Sequence, residues 1–157
     1  MEAWGIARAL HVLGVVVWIG GVTMVTTVLL PAVRRMAERD ATATFERLEH
    51  RFAAQARWTT QLVGVSGLYM VYRADMWSRF ADPRFWWMHA MVLVWALFTV
   101  MLFVLEPFVL RRRFAARARR DPRARLRTIQ RMHWVLLVAS LVTVAAAAAG
   151  SHGVHFF

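Results

Sequence analysis

The chain has 157 residues, 59% of them hydrophobic, and a formal net charge of +11 in which all 20 basic residues are arginine. That apolar fraction exceeds the roughly 45–50% usual for soluble domains, and the length suits one bundle, so residues 1–157 read as a single transmembrane domain. Cysteine is lacking, which excludes disulfides, thiolate zinc sites, iron–sulfur clusters and covalently attached haem.

The first apolar span covers about residues 3–30 and ends at Pro31, Arg34 and Arg35. It reaches spanning length without a small-residue cleavage site, so it is expected to be a membrane helix and not a removable signal. Residues 36–57 then mix acids and arginines with Phe45, Leu48 and Phe52, spaced at three and four. This is either an amphipathic cytoplasmic helix on the membrane surface or an extension of the second span.

The second span, about 53–76, is the least hydrophobic, with Thr59, Thr60, Gln61, Gly64, Ser66 and Gly67. Gln61, Gly64 and Gly67 form a small, polar stripe at helical spacing, as helix packing in membranes uses. A short loop with Asp75, Asp82 and Pro83 leads to the third span, about 85–110, interrupted by Glu106 and Pro107. Residues 111–131 are the most basic segment, and the fourth span covers about 132–150.

The predicted fold is therefore all-α: an integral membrane four-helix up-down bundle. Arginines concentrate in the segments after spans one and three, and the positive-inside rule places those in the cytoplasm, giving an N-out/C-out multi-pass protein of the bacterial inner membrane. Arginine concentrated between apolar spans suits anionic lipid and argues against nucleic acid. The lipid bilayer is the expected partner.

Ionisable side chains at membrane depth are costly and mark functional sites. His11, His89 and His152 all fall toward the outer leaflet, on three different spans. Imidazole nitrogens hold haem iron or copper, so these three are the candidate metal or haem ligands. The alternative is that His11 and His89 hydrogen-bond other helices while His152 meets water. Gly14 and Gly21 lie broadly on the His11 face, where small residues admit either a flat macrocycle or a neighbouring helix. His133, Glu106 and His50 lie toward the inner leaflet, roughly 25–30 Å away along the helices. His133 is a candidate ligand for a second haem there. His50 is expected in solvent, and Glu106 is either paired with an arginine of 111–113 or a weak candidate proton acceptor. The scattered methionines read as core filling.

Span one, with His11 followed by Trp18, Gly20 and Gly21, resembles the first helix of the group that holds copper-resistance protein D-like membrane proteins and membrane-type protoporphyrinogen oxidase. The whole chain, with its Phe85-Trp86-Trp87-Met88-His89 and Arg131-Met132-His133-Trp134 stretches, is similar to uncharacterised four-helix bacterial membrane proteins grouped with them. The resemblance implies b-type haem held by the first-helix histidine, here His11. This chain has no lysine, so an oxidase role resting on a lysine does not carry over. The expectation is one haem b, or two, in electron transfer with quinone or another redox partner; if an enzyme, a haem-dependent membrane oxidoreductase. Two alternatives stay open: copper binding or uptake through the same imidazoles, and a non-catalytic subunit or assembly factor, in an oligomer or alone.

Overall fold

A computed structural model describes residues 2–36, 38–110 and 122–153, leaving out the side chains at 38–43, 45–46, 49–50, 106–110, 122–123 and 125. The described residues are helical, with no strand among them. Five α-helices follow in order: α1 (Glu2–Met24), α2 (Leu30–Arg34), α3 (Glu38–Arg73), α4 (Trp86–Val100) and α5 (Pro122–Ser151).

Between α1 and α2 the chain widens into a π-helical turn, Val25–Leu29, where the Leu30 amide reaches back to the Val25 carbonyl. Two local causes converge there. Pro31 supplies no amide hydrogen, so the regular ladder cannot continue through it. Thr23 and Thr26 also donate their hydroxyls to the carbonyls of Ile19 and Val22, competing with the backbone for acceptors. A second π stretch, Met101–Leu110, continues α4 and contains Pro107.

Residues 38–57 form no separate surface helix. From Glu38 they run unbroken into the second span as one 36-residue helix, about 54 Å long at 1.5 Å per residue. That exceeds the roughly 30 Å of a hydrocarbon core. At the far end Ala74 and Asp75 turn the chain, with Asp75 in the left-handed region at φ 48°, a conformation that Asp tolerates better than most residues. Asp82 then accepts from the Arg84 amide and binds its guanidinium through two nitrogens, which sets the short 3₁₀ turn ahead of α4.

Three stretches, Glu2–Arg34, Pro83–Leu105 and Leu126–Ser151, are long and apolar enough to cross a membrane. Within their apolar windows only 33%, 17% and 28% is buried against the rest of the protein, so most of the remaining surface suits lipid and would be costly in water. The second span is not among them: its threonines, Gln61 and glycines dilute its hydropathy. It nevertheless packs along most of α1, while α4 packs along α5; α1 also meets α5, and α3 meets α4.

Two apolar clusters fill the interior. Trp18, Ile19, Val22, Val63, Phe98 and Leu137 form the middle one. Val25, Leu30, Val33, Leu126 and Ile129 form the one toward the arginine-rich end. Near the other end the Trp87 indole presses on Gly150 so closely that a Cβ there would lie 2.3 Å from its Nε1.

Candidate functional site

Helix α1 presents His11 to α3. Its Nδ1 lies 3.0 Å from the Val63 carbonyl oxygen and 3.2 Å from Ser66 Oγ. A carbonyl only accepts, so Nδ1 carries the hydrogen and donates it. Ser66 in turn donates to the Leu62 carbonyl at 2.5 Å. The edge of the ring rests on Gly67, where a Cβ would stand 3.1 Å from His11 Cε1. Carbonyl, hydroxyl and glycine on one face of α3 thus hold a half-buried imidazole in one tautomer. Its Nε2 keeps a lone pair with no protein partner among the described residues. Fixing one ring nitrogen on a carbonyl while the other stays basic is how proteins orient a ligating histidine.

The structure sorts the remaining candidates by level. Trp95 of α4 sits against Gly64 and donates its Nε1 hydrogen to the Thr60 carbonyl at 3.0 Å. Trp95 is thereby close in depth to the α3 segment that holds His11. His89 lies six residues before Trp95, about 9 Å nearer the outer end. It is exposed, with its ring edge-on to Phe80 at 5.3 Å. His152 is also exposed and donates Nδ1–H to the Ala148 carbonyl at 2.8 Å. It belongs to the same outer level, two residues past the Gly150–Trp87 contact. His11 therefore stands deeper than the other two, and no group of three His, Cys, Asp or Glu among the described residues is arranged to hold a metal ion. His133 is half-buried at the opposite end and donates Nδ1–H to Ile129 at 2.9 Å. The side chains of His50 and Glu106 lie outside the described residues.

The two glycines on the His11 face go to helix packing. Val63 and Leu62 cover Gly14, and Phe52 covers Gly21. The space over those glycines is thus filled by side chains of α3. Of the polar stripe on α3, Gly64 seats Trp95 and Gly67 seats His11.

Four polar groups to which the sequence assigned no site acquire a place here. Arg57, half-buried, donates Nε–H to the Leu102 carbonyl at 3.4 Å, inside the π stretch that follows α4. Trp18 Nε1, Thr60 Oγ1 and Thr99 Oγ1 are buried without a hydrogen-bond partner. Arginine before an apolar run looks like a helix boundary, and threonine at depth looks like packing. Only the neighbouring helices mark these positions as unusual.

Fold and site together define a chain whose described residues are helical, with three stretches long and apolar enough to cross a membrane and one imidazole fixed between helices. No family model, no curated protein and no solved structure matches the chain.

Proposed function

We propose that this chain is a multi-pass protein of the bacterial inner membrane, a four-helix up-down bundle with both termini outside, that binds b-type haem through His11 and serves electron transfer. The held tautomer of His11, with Nδ1–H on Val63 and Ser66 and Nε2 unpaired, is the observation that carries this reading. The likeness of its first helix to the copper-resistance D and membrane oxidase group points the same way.

In this reading His11 Nε2 is the protein's ligand, and Val63 and Ser66 keep that nitrogen unprotonated and aimed. Bound haem would supply a one-electron couple. The apolar flanks of α1 and α3 would keep water from it, and a quinone or a redox protein at the outer face would exchange electrons with it. His89 and His152, both nearer that face, would line the approach and not share the iron.

The test is a reduced-minus-oxidised absorption spectrum of the protein purified in mild detergent. A Soret band is expected in the wild type, most of it lost in His11→Ala and retained in His89→Ala and His152→Ala. Full retention in His11→Ala removes the ligand assignment. Bound copper without a Soret band replaces haem with copper, and neither leaves the imidazole as a packing element.

A further inference from the structure

We propose that the protein holds an internal water molecule at mid-depth, bound by Trp18, Thr60 and Thr99 from three different helices.

Helical hydroxyls in this protein usually turn back on their own backbone. Thr23, Thr26, Thr59, Ser66, Ser140 and Thr143 each donate to the carbonyl four residues earlier. Thr60 and Thr99 do not, although burial should press them hardest to do so. Thr60 is 0% exposed, and its Oγ1 has no partner; Thr99 Oγ1 is likewise buried and unpartnered. The Trp18 indole, 4% exposed, leaves its Nε1 hydrogen unpaired as well.

These three groups lie at a similar depth along their helices. Trp95 Nε1 on the Thr60 carbonyl sets the register of α4 against α3. Thr60 lies one turn below Gly64, and Thr99 one turn below Trp95, each about 6 Å deeper than the Gly64–Trp95 contact. On α1, Trp18 lies about 10 Å below His11, and on α3 Thr60 lies about 9 Å below Ser66, the partner of His11. The Trp18 ring stands edge-on to Phe98 at 4.8 Å, beside Thr99, and packs in the cluster with Val63 and Leu137. Trp18 of α1 thus packs against residues of both α3 and α4 at this depth.

The chemistry of the three groups selects the guest. An indole N–H only donates, while a threonine hydroxyl both donates and accepts. Together they suit a small neutral oxygen that takes one hydrogen bond from Trp18 and exchanges two with the threonines. Buried waters typically make about three hydrogen bonds, to polar groups otherwise unsatisfied. At bilayer depth there is no bulk water to satisfy such groups from outside. The site is independent of what His11 binds.

Solid-state NMR of uniformly ¹⁵N-labelled protein in lipid bilayers tests this, with the Trp18 indole resonance assigned by its loss in Trp18→Phe. Water-to-indole transfer at Trp18 Nε1–H is expected to build up several-fold faster than transfer to the backbone amide of Leu30, which is 0% exposed inside the apolar cluster. In Thr60→Val/Thr99→Val the Trp18 transfer should fall to the Leu30 level. A wild-type Trp18 as dry as Leu30 overturns the proposal, whether or not the double variant folds. An unchanged transfer in a folded double variant also overturns it.

Discussion

Gly64→Ala isolates how the interior of this protein is assembled. The added Cβ would lie 2.5 Å from Trp95 Nε1, 2.6 Å from Cε2 and 2.8 Å from Cζ2. The indole must retreat by about 1 Å to restore ordinary contact, and its 3.0 Å bond to the Thr60 carbonyl cannot survive that displacement. Overpacking of this kind costs about 1–3 kcal/mol, and stranding a buried donor adds about 1–3 kcal/mol. Alanine's better helix propensity returns about 1 kcal/mol. The net is about 1–5 kcal/mol of destabilisation, equivalent to a fall in Tm of roughly 2–20 °C for a chain this size.

The assay is thermal unfolding in detergent, followed by tryptophan fluorescence and by loss of the monodisperse peak on gel filtration. Gly20→Ala is the control, since a Cβ there meets nothing within 4 Å; it should match or exceed the wild type. Gly64→Ala/Trp95→Phe should recover part of the loss, because the two residues touch and their effects are non-additive. If Gly64→Ala proved as stable as Gly20→Ala, the Trp95 contact would not be the element that locks α3 to α4.

Ser66→Ala leaves the Val63 carbonyl to hold His11, so it should retain more haem than His11→Ala but less than wild type, read from the Soret band. Gly67→Ala, whose Cβ would stand 3.1 Å from His11 Cε1, should displace the ring and shift that band. Arg57→Leu removes the donor on the Leu102 carbonyl and should cost about 1–3 kcal/mol, measured by the same melts; an unchanged Tm would show that this bond contributes nothing. Because the chain has no cysteine, Ser78→Cys and Met36→Cys can each be labelled in intact cells with an impermeant maleimide. Labelling of Ser78→Cys alone fits α3 crossing the bilayer, whereas equal labelling of both would place the two ends of α3 on one side.

The sequence by itself determined the chemistry and the general class. Apolar content, arginine concentrated between spans, and the lack of cysteine pointed to a helical chain with stretches apolar enough for a membrane, whose polar groups offer only nitrogen, oxygen and thioether donors. Those conclusions depend on composition and helical periodicity, which are local. Gly14 and Gly21 were legible as close-approach positions, but the occupant of that space was not, since a helix and a macrocycle ask the same of a glycine. The residues 36–57 were ambiguous for a similar reason: an amphipathic pattern is shared by a surface helix and by an extended one, and only packing along α1 decides between them.

The tertiary structure decided which histidine is held. By position along their spans His11, His89 and His152 were alike candidates, and only the resemblance of the first helix singled out His11. His11 alone meets a carbonyl, a hydroxyl and a glycine of another helix, a coincidence created by the register of α1 on α3. The same is true of Trp18, Thr60 and Thr99, which are separated by dozens of residues and come to lie at a similar depth only when α1, α3 and α4 pack. Helix register is set by where small residues admit large ones, here Gly64 under Trp95 and Gly150 under Trp87. That complementarity is a property of pairs of surfaces, which no single helix carries in its own sequence.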